Sequence, residues 1–272
     1  MSKIRPAAVA GMFYENDPAA LIKNVDSLID SADDLRPDAS DLKALIVPHA
    51  GYIYSGMTAA AAYALLEPRS GSISRVILLG PVHRVPVRGL ALPGSDVFRT
   101  PLGDIEIDQA AVASISALPQ VVVSEQAHAL EHSLEVQLPF LQRVLDDFRL
   151  LPLAVGDATP EEVAEVLNVL WDDEQTLIIV SSDLSHFHSY TEALKIDTQT
   201  VEHILALKPH LTHEQACGGT PVNGMLLAAR QRGLTPELID FRNSGDTAGD
   251  KNRVVGYASF AFRSKHDEAG IQ

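Results

Sequence analysis

A chain of 272 residues, 46% hydrophobic and 21% charged, is long enough to bury a full core and has none of the bias that marks disorder. Its formal net charge of −15 argues against a nucleic-acid partner, whose phosphates demand clustered Lys and Arg. No apolar run approaches the roughly 18 residues of a membrane span, and the opening MSKIRPAAVAGMFYEND has no apolar leader core, so a cytoplasmic location without a membrane partner is expected.

Helical and strand signals alternate along the chain. Asp17 followed by Pro18 reads as a helix cap with proline at the first helical position, opening the amphipathic AALIKNVDSLI. The charged DSADDLRPDASD is a surface connection. ALIV, Ala44 to Val47, is a buried strand; Ser55 is expected to cap the Ala-rich helix MTAAAAYALL; RVILLG is a second buried strand. DVFRTPLGDIEID carries turn residues between alternating apolar positions, which predicts a hairpin. LLPLAV is a further strand, and TPEEVAEVLNVL opens with a capping box of Thr159 and Glu162. TLIIV follows as a strand, TEALKIDTQTVEHILAL and PVNGMLLAARQR as helices, and ELIDF and VVGYASFAF as the closing strands. The order implies a single α/β domain over residues 1–263, a central mixed, largely parallel sheet with helices on both faces, and a polar, frayed tail over 264–272.

In such sheets ligands collect at the carboxyl edge. Three histidines occupy that slot: His49 after ALIV, His83 after RVILLGPV, and His186 after TLIIVSSDLS. Two imidazoles and one anionic ligand, with positions left open, is how proteins hold a catalytic divalent metal. The residues offer two candidates for the third ligand, Cys217 in EQACGGTPVNG and Asp183 in SSDLSH. Cys217 is also the only cysteine, which excludes an intrachain disulfide and fits a reducing compartment.

At these residues the chain resembles the Memo family, whose bacterial and archaeal members are also called AmmeMemoRadiSam system protein B. The matching segments are RPAAVAGMFY, VPHAGYIYSG, VILLGPVHR, FRTPLGDIEID, EHSLEVQLPFL, SSDLSHF, ACGGTPV and VVGYASFAF, spread from Arg5 to Phe262. That family is similar in fold to the LigB-type, class III extradiol dioxygenases, which hold non-haem Fe(II) through two histidines and a carboxylate. By this resemblance His49 and His83 take the histidine positions, and Cys217 falls where the dioxygenases have their carboxylate. His186 resembles their acid/base histidine, Asp183 shares its pocket, and His132 faces the site. A softer thiolate admits Cu or Zn beside Fe(II). The resemblance thus implies a metal-dependent redox enzyme acting on a small-molecule or peptide ligand, or a binding module that uses the same pocket without turnover. It also implies radical-SAM and AMMECR1-domain partners.

One competing motif is HALEH, His128 to His132, which matches the H-x-x-E-H pattern of zinc peptidases and suggests a zinc hydrolase built on His128, Glu131 and His132. It needs a regular helix to bring both histidines to one face, and Pro139 stands close behind. The remaining histidines, His203, His210, His213 and His266, read as solvated, His188 as a pocket rim, and Tyr52 and Tyr54 as wall. No P-loop, dinucleotide fingerprint or nucleophile elbow occurs.

Overall fold

The computed structural model describes residues 2–32, 41–171 and 174–264. In chain order the first half comprises β1 (Ile4–Arg5), α1 (Pro18–Asp30), β2 (Leu42–Val47), α2 (Tyr52–Tyr63), β3 (Arg75–Pro81), β4 (Leu90–Leu92), β5 (Val97–Thr100), β6 (Gly103–Glu106), α3 (Gln109–Ile115) and β7 (Val121–Val123). The second half comprises α4 (Glu125–Ala129), α5 (Leu138–Val144), β8 (Arg149–Val155), α6 (Pro160–Leu170), β9 (Thr176–Ser181), β10 (His186–His188), α7 (Tyr190–Leu205), α8 (Gly219–Gln231), β11 (Thr235–Asn243) and β12 (Val254–Arg263).

The apolar runs become the middle of a nine-stranded sheet. There β2, β9, β3 and β8 lie side by side and parallel. At the margins the pairing turns antiparallel, with β12 on β2, β11 and β10 on β12, and β4 on β8. Side chains of a strand alternate between faces, and here both faces are covered. Leu45, Val47, Val76, Leu78, Leu177 and Ile179 pack on the face that carries α1, α2 and α5. Ala44, Ile46, Ile77, Leu79, Ile178 and Val180 pack on the face that carries α6, α7 and α8. The predicted hairpin forms as β5 and β6, which join β1 in a separate three-stranded sheet. Among the described residues no helix is long and apolar enough to cross a membrane.

Local signals translate directly at two helix starts. Asp17 accepts from the Ala20 N–H at 2.9 Å, and Thr159 and Glu162 form the reciprocal capping box. Ser55 is a correction: α2 starts three residues earlier, after Gly51, and Ser55 lies inside it with its hydroxyl donating to the Ala50 carbonyl at 3.1 Å. The helix can start early because the Tyr52 N–H donates to the Phe13 carbonyl at 2.8 Å, a tertiary bond that replaces a side-chain cap. Most of the predicted charged connection, residues 33–40, and the tail from residue 265 lie outside the described residues.

One buried ion pair ties the N-terminal segment down. Glu135, fully buried, receives the Arg5 guanidinium, the Tyr14 hydroxyl at 2.6 Å, and the N–H groups of Ala8 and Val9 at 2.8 and 2.9 Å. Arg5 also donates to the carbonyls of His128 and Glu131 at 3.0 and 2.7 Å, so the same pair fixes the backbone that leads into His132. Removing one partner leaves a buried charge uncompensated. Glu135→Ala is therefore expected to cost about 3–5 kcal/mol in chemical denaturation. It should also open the segment from Ile4 to Tyr14 to limited proteolysis; an unchanged midpoint and cleavage pattern would refute the clamp.

Candidate metal centre

Because β2, β9 and β3 are parallel and adjacent, their carboxyl ends fall on one edge. Each chain then delivers a functional side chain two residues past its strand: His49 after Val47, Asp183 after Ser181, and His83 after Pro81. His132 joins them from the turn between α4 and α5. One imidazole nitrogen from each of His49, His83 and His132 lies within 4.8 Å of the others, so this group could hold a metal ion. The ring centroids stand 5.2, 5.4 and 4.5 Å apart for the pairs His49–His83, His49–His132 and His83–His132.

The hydrogen-bond network assigns the tautomer of His49. Tyr63 donates its hydroxyl to Gln137 Oε1 at 2.9 Å, which fixes the amide so that Gln137 Nε2 donates to the Pro48 carbonyl at 2.9 Å and to Ser181 Oγ at 2.8 Å. Ser181 spends its one proton on the Ser133 carbonyl, 2.6 Å away. Towards His49 Nδ1, at 2.8 Å, Ser181 can therefore only accept. His49 carries its proton on Nδ1 and presents an unprotonated Nε2. His83 is set in the same way, its Nδ1 lying 2.8 Å from Glu131 Oε1, which leaves Nε2 free. Tying up one ring nitrogen with an acceptor while the other faces a common point is the usual support for a metal-binding imidazole. The donor set thus fits a metal ion.

Glu131 is the anchor of this arrangement. Buried, it also accepts the N–H groups of His83 and Ser133 at 2.6 and 2.9 Å, and lies 3.4 Å from His132 Nδ1. Burial pushes its carboxyl up, but the His83 ring and the backbone donors outweigh burial and hold it at about 2. The imidazoles move the other way. Burial first, then the neighbouring rings, push the His49 pKa well below its ordinary value, and burial and His83 push His132 down. Both stay neutral at pH 7, the form in which a histidine ligates metal.

Cys217 stands beside His49, its Sγ 3.2 Å from Nε2, and is not one of the three clustered atoms. Its backbone N–H donates to the Asp183 carbonyl at 3.3 Å. The next residue has to be glycine, since a Cβ on Gly218 would lie 2.6 Å from Ser182 Cβ. Burial, then the Asp183 charge, push the Cys217 thiol up. Asp183 is buried and accepts the His49 N–H at 2.7 Å; burial pushes its carboxyl up, against His186 and that one N–H. His186 lies 2.9 Å from the Leu184 carbonyl through Nδ1, which as a donor leaves Nε2 free.

His128 does not share the site. α4 stops at Ala129, with Leu130 outside helical geometry, so the helical face that HALEH requires never forms. The His128 ring is buried, 5.8 Å from Phe98, and its Nε2 lies 2.8 Å from the Ala91 carbonyl. Ser181, Gln137 and Phe13, whose ring is 4.8 Å from that of His132, are the site residues that sequence reasoning missed, and Glu131, read only as part of the zinc-hydrolase motif, instead holds the His83 ring. All four lie inside segments that match the family, Phe13 in RPAAVAGMFY, Glu131 and Gln137 in EHSLEVQLPFL, and Ser181 at the head of SSDLSHF.

Fold and site together define an α/β protein with a group of three histidines that could hold a metal ion at the carboxyl edge of its parallel strands. A family model described as Memo-like protein matches residues 5–261. The chain is 33% identical to a MEMO1 family protein of Sulfolobus acidocaldarius, over 95% of this chain and 99% of that one. It is 36% identical to MEMO1 family proteins of Aquifex aeolicus, over 96% and 99% of the two chains, and of Methanosarcina barkeri, over 94% and 98%. The chain belongs to the Memo-like family. A crystal structure of an uncharacterized Escherichia coli K12 protein aligns with 13% identity and a TM-score of 0.47, covering 81% of this chain and 99% of that one.

His128 contributes to the pH dependence of stability, beside His49 and His132, which burial shifts the same way. Burial holds it neutral, with a pKa near 4, and its Nδ1 has no hydrogen-bond partner to receive a second proton. Its folded pKa lies below the unfolded value of about 6.5, so between those limits the unfolded chain binds the proton and stability falls as pH falls. The full loss, about 3 kcal/mol, is reached below pH of about 4. His128→Gln should flatten that part of the profile in denaturant titrations run from pH 7 to 4. An equally steep profile in the variant would place the acid sensitivity elsewhere.

Proposed function

We propose that this Memo-family protein is a metal-dependent redox enzyme whose centre is held by His49, His83 and His132, with Cys217 beside it. The observation that carries the reading is that His49 and His83, their Nδ1 atoms tied to Ser181 and Glu131, bring ring nitrogens within 4.8 Å of one another and of one from His132. Three nitrogen donors with positions left open, and a thiol within reach, suit Fe(II) first and Cu or Zn as alternatives. When bound, any of these ions would supply Lewis acidity at the open positions, and Fe or Cu, unlike redox-inert Zn, one-electron chemistry as well.

The chain's own groups then do the rest. His186 moves a proton at Nε2, its other nitrogen being pinned to Leu184. Asp183 orients His49 through the backbone N–H, and its burial favours the protonated carboxyl. Glu131 stays ionised and holds the His83 ring in register. The kinship with extradiol dioxygenases suggested by the sequence supports dioxygen as co-substrate. Association with radical-SAM and AMMECR1-domain proteins is proposed on the family resemblance alone.

The test is metal analysis of anaerobically purified protein. His49→Ala with His83→Ala should abolish stoichiometric binding of Fe(II) or Cu while the circular dichroism spectrum stays native. Undiminished uptake in the double variant sinks the assignment. His132→Ala and Cys217→Ser separate the two readings of the third ligand: the larger loss of affinity identifies it, and only a thiolate ligand makes bound metal shield Cys217 from alkylation.

Glu131 gives an independent measurement. Glu131→Gln keeps the shape but removes the charge that the His83 ring and backbone lean on, and should weaken metal binding by about 10–100-fold. Equal affinity in a competition titration would show that the carboxylate is structural only.

A further inference from the structure

Two arginines beside the centre carry guanidiniums unpaired among the described residues, in a chain that is otherwise strongly acidic. Most arginines are spent on carboxylates, as in Arg75–Asp108, Arg88–Glu162, Arg99–Asp104 and Arg143–Asp26. Arg84 and Arg253 are different. Arg84 follows His83 directly, is exposed, and its charge reaches His132. Arg253 lies over the Phe187 ring, 4.6 Å from its centroid, and Phe187 in turn stands 5.6 Å from the His186 ring. Among the described residues neither guanidinium has a carboxylate partner.

Phe187 is itself an anomaly. It adopts a left-handed backbone, φ 66°, which an aromatic residue rarely does, and it stands 61% exposed at the bulge between β10 and β12. Burial does not repay that conformation, and such strain beside a site is a mark of function. An exposed ring with one face covered by a free guanidinium offers its surroundings a flat apolar surface and fork-shaped donors together. With a net charge of −15 the rest of the surface repels anions, so an unneutralised pair at the lip sets where an anion is received.

Building on the metal-centre reading above, we propose that the site takes a small organic anion, a flat apolar body lying against Phe187 with a carboxylate, sulfonate or phosphate-ester group received by Arg253 and Arg84. The inference names the substrate class; the metal reading names the chemistry done on it.

Calorimetric titration tests it with two probes of similar shape, benzenesulfonate, which ligates metals poorly, and its neutral counterpart methyl phenyl sulfone. Each is titrated into metal-loaded and metal-free protein, with metal content measured in every sample. The anion should bind about tenfold or more tightly at low salt, and Arg84→Gln or Arg253→Gln should each cost it about tenfold while leaving the sulfone unchanged. Phe187→Ala should weaken both probes. Equal affinity for the two, no measurable binding of either, or a preference that survives the double arginine variant overturns the proposal. A wild type without metal but with an arginine-dependent preference would sink the metal reading and leave this one standing.

Discussion

The parallel register of β2, β9 and β3 is the constraint on which the centre depends. Parallel strands pointing the same way end at one edge, and the pairing of Val47 with Ser181, and of Leu79 with Val180, keeps those ends level. Residues far apart in the chain, His49, Asp183 and His83, are thereby delivered to one place by backbone geometry before any side chain interacts. A slip of one residue would reverse the face to which every apolar side chain points, so the two packed cores that flank the sheet also hold the site in register.

Register alone would leave three loops at a sheet edge, and what makes them a site is a chain of buried polar bonds. Tyr63 fixes Gln137, Gln137 fixes Ser181, and Ser181 fixes His49. On the other side Arg5 and Glu135 hold the backbone of His128 and Glu131, and Glu131 fixes His83. Each buried donor in the first chain meets an acceptor, which is why it can specify a single tautomer rather than merely tolerate one. The N-terminal segment enters through the same logic, since its Phe13 carbonyl starts α2 and its ring lies against His132.

How much of this was legible follows from range. Signals carried by a few neighbouring residues translated well: the Asp17–Pro18 start, the Thr159–Glu162 box, the hairpin, and the buried runs whose ends located His49 and His83. Ser55 misled because a tertiary bond from Tyr52 to Phe13 supplied the cap that a side chain was expected to supply. Glu131 and His132 lie in a stretch where α4 ends and a 3-10 turn begins, so no periodicity reveals which way they point. The HALEH pattern was read by spacing on a helix that stops at Ala129. Pairings such as His83–Glu131 and His49–Ser181 span 48 and 132 residues and leave no trace in local pattern.

The two buried carboxylates show how one fold assigns opposite roles to like groups. Both suffer the same penalty, burial, which favours the protonated form. Glu131 overcomes it with one ring and two backbone donors, and remains an anion that orients and neutralises. Asp183 receives only the His49 N–H, so burial prevails and its carboxyl is pushed up. Environments that drive two titratable groups apart in this way keep one carboxylate ionised and bias the other towards its protonated form. The fixed charge of Glu131 lies against His83 and His132, while Asp183, whose backbone carbonyl accepts the Cys217 N–H, holds the backbone N–H of His49. One buried carboxylate is thereby kept ionised against the histidines, and the other is pushed towards its protonated form by the same burial.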